Sequence, residues 1–185
     1  GVRIPVAPPG FQMINLNVLN NIEITNDPFE HIVCKNICLD QNAINEVYNF
    51  FTQSPQWQVE QEHQQFNLPE FNDLSTDLVN VFEQFDWKPL MEKLGVTYSK
   101  LTSGFTGSNY EKPLGTHTDE PEITGVVAKY LFYMTPNIDN GTILHDSKGN
   151  TKTTPGAQGD LFVFKTSPTS VHSSDYSNIN KDVRR

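Results

Sequence analysis

Hydrophobic and polar positions follow two rhythms along this chain, and the change between them comes near Gly95. Before it, apolar residues recur at helical spacing. Asp40 stands where a helix N-cap belongs, and Ile44, Val47, Tyr48 and Phe51 follow three and four apart, the period of an amphipathic helix. Ser54-Pro55 ends that helix. A second is predicted with Asp73 or Ser75 as cap and Leu78, Val81, Phe82 and Phe85 on one face. A third, short one runs from about Pro89, a favoured first-turn residue, to Leu94, closed by Gly95. Ahead of these, Pro5, Pro8, Pro9 and Gly10 predict an extended arm or edge strand. Residues 14–24 then alternate, and Asp27-Pro28-Phe29 introduces a strand over His31–Leu39. Residues 56–70 are a polar, Gln-rich connector whose His63 has no partner pattern.

After Val96 the rhythm becomes short and β-like. The runs are Thr97–Thr102, Thr116–Asp119, Val126–Met134, Thr142–His145, Asp160–Lys165 and Ser170–His172. Turn signals punctuate them at Asn140-Gly141, Lys148-Gly149-Asn150 and Pro155-Gly156. Helices first (about residues 27–95) and strands afterwards (about 96–185) predict an α+β, mainly β fold. In it, N-terminal helices pack on one side of an antiparallel sandwich or barrel. No internal repeat or linker divides residues 1–185, so a single domain is expected.

Composition narrows the function classes. The chain has 185 residues, of which 36% are hydrophobic, including 12 Phe, 6 Tyr and 2 Trp, enough for a sizeable aromatic-rich core. A formal net charge of -9 weighs against binding nucleic acid or an anionic membrane, which needs Lys and Arg. No apolar run reaches the length of a membrane span and the N-terminus carries no signal segment. With only Cys34 and Cys38, read as two small buried apolar residues, the expected location is cytoplasmic.

The chemistry gathers at Gly115-Thr116-His117-Thr118-Asp119-Glu120 and at Ser170-Val171-His172. In an extended segment side chains two apart share a side, so His117 and Asp119 aim an imidazole and a carboxylate at one point. His172 completes the set from a second strand. Two His and one carboxylate with open positions left over is the ligand set of non-haem Fe(II) oxygenases. Asn109, Tyr110, Glu120, Glu122 and His145 lie around these segments as weaker candidates.

The second half resembles the double-stranded β-helix (jelly-roll) of the Fe(II)/2-oxoglutarate-dependent oxygenases. The segments that carry the likeness are Gly115–Glu120, Lys129–Met134, Asn140–Leu144, Pro155–Phe164 and Val171-His172 followed by Arg184. Residues 27–33, leading into the Asp40 helix, are similar to the start of the prolyl-hydroxylase-like branch. The resemblance implies His117, Asp119 and His172 as iron ligands, with 2-oxoglutarate and O2 taking the remaining positions. It implies a cation about ten residues after the distal His for the far carboxylate of 2-oxoglutarate. Arg184 is the choice, because a guanidinium grips a carboxylate bidentately; Arg185 and Lys181 compete for the role. Tyr133 matches the strand tyrosine whose hydroxyl bonds the same carboxylate.

The function expected is hydroxylation of a small-molecule or peptide substrate, a peptidyl proline among the options. Substrate choice is assigned to loops such as Ser103–Lys112 and the Gln-rich connector. Two rivals stand beside it. One is a non-catalytic jelly-roll module for binding or assembly, for example a virion-associated component. The other is a cupin-like metal enzyme, which commonly uses a His-x-His pair that this chain lacks.

Overall fold

The computed structural model describes residues 14–38, 40–53, 58–59, 65–67, 85–100, 106–108 and 115–174. Nine strands run through these residues in chain order: β1 (His31–Cys34), β2 (Gln58–Val59), β3 (Gln65–Asn67), β4 (Thr106–Ser108), β5 (Ala128–Phe132), β6 (Asn140–His145), β7 (Thr151–Pro155), β8 (Leu161–Lys165) and β9 (His172–Ser174). The helices among them are Leu16–Asn20, Gln41–Gln53, Lys88–Lys93 and Pro121–Thr124. The described chain is therefore mainly β with short helices. Its strands form three antiparallel sheets, ordered β1-β8-β5, β2-β3-β4 and β7-β6-β9.

The strand β8 has a core on each of its faces. Leu161-Phe162-Val163-Phe164 has no polar position, a pattern suited to a strand covered on both sides. All four side chains have no exposed surface. Alternation sends them to two different cores. Leu161 and Val163 join Ile32, Cys34, Ile44, Trp87, Leu90 and Leu94 in one buried cluster, against which Ala128, Tyr130 and Phe132 of β5 also pack. Phe162 and Phe164 point the other way and meet Phe29 and Leu144, with Val33, Leu131 and Tyr133 beside them. Leu144 belongs to β6, so this second cluster joins the β1-β8-β5 sheet to the β7-β6-β9 sheet.

Local chemistry explains the helix ends. Asp40 Oδ1 accepts from the backbone N–H of Asn42 at 3.0 Å and of Ala43 at 3.1 Å, the N-cap role read from the sequence. The helix it starts runs to Gln53, just ahead of Ser54-Pro55. Lys88–Lys93 carries a proline in its first turn, and Gly95, at a φ of 62°, turns the chain out of it. Of the predicted stripe on the 41–53 helix, Ile44 is fully buried and Tyr48 half-buried. The helix expected from Asp73 or Ser75 lies outside the described residues, as do His63, Asn109, Tyr110, Lys181, Arg184 and Arg185.

Several expectations are corrected. Residues 14–24 are not continuously extended: Asn15 Oδ1 accepts from Asn17 N at 3.2 Å and caps a turn of helix over Leu16–Asn20. The strand from His31 stops at Cys34, because Asn36 takes a φ of 51° and bends the chain away. Cys34 is buried and its thiol is pushed up to about 11 by that burial, whereas Cys38 is only half-buried. The Gln-rich connector carries β2 and β3, which pair with each other. Residues 97–100 are irregular, and Thr116–Asp119 reduces to a single bridge at His117. The strand at His172 runs forward to Ser174 rather than back to Ser170. An unforeseen strand, β7, has Thr151, Lys152 and Thr153 exposed, so no apolar alternation marks it. No helix among the described residues is long and apolar enough to cross a membrane.

The β6–β7 hairpin has one tight point. The register shifts between Asn140 and Ile143, as at a bulge, and Thr154 Oγ1 turns in to accept the N–H of Thr142 at 2.9 Å. A methyl group on Gly141 would lie 2.5 Å from the Pro155 carbonyl oxygen and closer still to Thr154 Oγ1. Gly141→Ala is therefore expected to cost about 1–3 kcal/mol, the usual penalty of overpacking, read as a lowered urea midpoint at unchanged m-value.

Candidate metal centre

A buried imidazole needs a partner for each nitrogen that carries a proton. For His172 that partner is the carbonyl of Ser170, 2.8 Å from Nδ1. The carbonyl is available because Ser167–Ser170 closes into a turn. Ser170 Oγ accepts from Ser167 N at 2.9 Å and donates to Ser167 O at 2.8 Å. His117 repeats the arrangement, with Nδ1 2.8 Å from the carbonyl of Gly115. A carbonyl only accepts, so Nδ1 carries a proton in both rings, and Nε2 is the nitrogen left to meet a ligand.

The backbone then brings the rings together. His117 N donates to His172 O at 3.0 Å and His172 N to His117 O at 2.9 Å, a two-way bridge that pins the 115–119 segment to β9. The ring centroids stand 4.3 Å apart at 54°, and Phe164 of β8 meets the His172 ring edge-on at 4.9 Å. Asp119 arrives two residues after His117. Its Oδ2 lies 3.4 Å from His172 Nε2, is buried, and has no hydrogen-bond partner. One ligand atom from each of His117, Asp119 and His172 falls within 4.8 Å of the others.

Electrostatics test whether a cation fits this set. Burial, more than the neighbouring His117 and Lys129 charges, pulls the His172 pKa from its ordinary 6.5 down to about 4; the Ser170 carbonyl and Asp119 oppose the shift. The ring is therefore neutral at pH 7, and its Nε2 lone pair faces a carboxylate lone pair with no proton between them. Two opposed lone pairs repel, and an orphaned buried carboxylate oxygen is costly. A cation among these atoms relieves both. Neutral imidazoles and a hard carboxylate suit a divalent transition metal, so the residues fit such an ion.

One further group touches the cluster. Lys129 Nζ lies 2.7 Å from the other carboxylate oxygen, Asp119 Oδ1. Nothing in the sequence pattern alone gave Lys129 a role, although it shares parity on β5 with Leu131 and Tyr133 and so faces inward; a lysine on an apolar strand face was the available signal. Tyr133 lies just past β5, and its hydroxyl pairs with Thr142 Oγ1 of β6 at 2.8 Å, bridging the two sheets. His145 is not part of the cluster: its Nε2 bonds Ser173 Oγ at 2.8 Å, next to His172 in sequence. Glu120 is half-buried and accepts from Thr118 Oγ1 at 3.2 Å, while Glu122 is exposed.

No family model and no curated protein matches this chain. Among solved structures it is similar to the crystal structure of a "putative oxygenase" from Shewanella oneidensis. The two share 10% identity over 84% of this chain and 78% of that chain, with a TM-score of 0.49.

The depressed pKa of His172 has a thermodynamic signature in the metal-free protein. Above pH 6.5 neither folded nor unfolded His172 binds a proton, and its neutral burial costs nothing extra. As pH falls from 6.5 towards 4 the unfolded chain takes up the proton first, so stability is lost across that window. The loss expected is roughly 3 kcal/mol, measured by urea unfolding in chelator at pH 7, 5.5 and 4. His172→Gln is expected to flatten that part of the profile.

Proposed function

We propose that this chain is an Fe(II)- and 2-oxoglutarate-dependent oxygenase with a double-stranded β-helix core, a hydroxylase similar to the prolyl-hydroxylase branch. The observation that carries the reading is the buried, partnerless Asp119 Oδ2 facing the Nε2 lone pair of a neutral His172, with His117 alongside. Two imidazoles and one carboxylate leave coordination positions free, which a bidentate 2-oxo acid and O2 require. When bound, iron and 2-oxoglutarate supply the oxidising chemistry that hydroxylates an unactivated C–H bond.

The chain's own residues hold and orient. The Gly115 and Ser170 carbonyls fix both rings with Nε2 inward, and Phe164 walls the His172 ring from the second core. Tyr133 is assigned to the distal carboxylate of 2-oxoglutarate. Thr142 steadies its hydroxyl, and Arg184 supplies the cation. A small molecule or peptide is the substrate class, since a net charge of -9 repels a polyanion. The whole of residues 1–185 acts as one domain in this reading, in the cytoplasm.

One observation favours a second reading, a non-catalytic jelly-roll module for binding or assembly. The Lys129 ammonium already balances the Asp119 charge without any metal. Anaerobic titration with Fe(II) and then 2-oxoglutarate separates the two. A weak visible charge-transfer band in the parent protein supports the oxygenase, and its absence at saturating iron leaves the module. Asp119→Ala is expected to abolish the band and to cut Fe(II) affinity by more than the roughly 10–100-fold that outer-shell partners cost.

Arg184 gives a separate expectation. A buried carboxylate without its cation is a desolvated charge, so Arg184→Gln is expected to weaken 2-oxoglutarate by about 2–5 kcal/mol, roughly tenfold to a few thousandfold. Iron affinity should stay at the parent value. Arg184→Lys recovers part of the loss, keeping charge without the bidentate fork. Equal 2-oxoglutarate affinity in parent and Arg184→Gln removes Arg184 from the site and moves the test to Arg185 and Lys181.

A further inference from the structure

We infer that Lys129 is a positioning residue that keeps Asp119 monodentate, so that one coordination place beside the metal stays open to an anionic ligand; this rests on the proposed metal centre. A carboxylate offers two oxygens, and a divalent ion that takes both loses a place for anything else. Here the two oxygens are already divided. Oδ1 is held by the Lys129 ammonium at 2.7 Å, a charge-assisted bond of the strong kind. Oδ2 is left without a partner and faces His172 Nε2.

The division is built into the sheet. Lys129 of β5 pairs directly with Phe164 of β8, and Phe164 is the ring that touches His172. Its backbone is thus fixed by the same strand that supports the distal imidazole. Leu131 and Tyr133, on the same face of this segment, pack into the second core, which leaves Lys129 as the charged end of an otherwise inward-facing row. Asp119 has 10% of its side chain exposed and Lys129 39%, so the pair joins a partly exposed ammonium to a nearly buried carboxylate. Charge points the same way. The Lys129 ammonium offsets the Asp119 carboxylate at 2.7 Å, so less of a bound dication's charge is spent on that carboxylate.

The test uses Co(II) in place of iron, because its visible d–d bands weaken as coordination number rises, and azide as the anionic probe. Parent and Lys129→Arg are expected to share one spectrum and one azide affinity. Lys129→Met is expected to show weaker bands and at least tenfold weaker azide binding, with Co(II) still bound. Lys129→Gln is measured beside it, with circular dichroism and thermal unfolding on all variants. Parental spectrum and azide affinity in folded Lys129→Met or Lys129→Gln overturn the inference while leaving the metal centre intact. Failure of both variants to fold also overturns it, by making Lys129 a structural residue. A parent protein that shows no Co(II) bands at all overturns the metal centre itself, and the inference with it.

Discussion

The arrangement depends on where two protons sit. Each imidazole near Asp119 gives its Nδ1 hydrogen to the carbonyl two residues upstream, and this settles ring orientation, tautomer and the direction of the remaining lone pair together. The same local closure occurs at His31, whose Nδ1 lies 2.8 Å from Phe29 O. There the ring is buried beside Phe29 and Phe162 and its pKa is lowered by burial, with Asp27 opposing the shift only through its charge. What distinguishes the 117/172 pair is therefore Asp119 within ligand reach of both rings, delivered by a segment pinned to β9 through the His117–His172 backbone bridge and to β5 through Lys129.

That segment is cheap to place because the sheets do the fixing. β8 serves two cores at once, and its phenylalanines reach β6 through Leu144. β6 in turn pairs with β9 so that Leu144 stands opposite His172. The ligand cluster lies at the edge of that second core, where an apolar wall gives way to Thr142, Tyr133 and Lys129. Burial against that apolar wall keeps His172 neutral at pH 7.

The parts legible in the sequence were those with a local signature. Asp40 marks a helix start through its capping side chain and Gly95 a helix end through its backbone, and residues 160–165 read as a strand. The clustering of His117, Asp119 and His172 could be anticipated from side-chain parity and strand order. The extended strand assumed around His117 was only a single bridge, but the two-residue spacing survived it. β7 escaped because an edge strand of exposed threonines has no apolar rhythm, and the Leu16–Asn20 turn because Asn15 overrode an alternating pattern. Lys129 went unassigned since its meaning comes from a partner ten residues away. Arg184 lies outside the described residues.

One consequence of the β1–β8 pairing concerns how the chain is made. His31 pairs with Phe164 and Cys34 with Leu161, so β1 is synthesised roughly 130 residues before the strand it needs. At about 5–20 residues per second, that is on the order of ten seconds on the ribosome. Through that interval Ile32 and Cys34 have no β8 to cover them, and their backbone has an open edge. Pairings this distant also close slowly once the whole chain is free. Truncated products ending before residue 161 would leave the ribosome with β1 still unpaired.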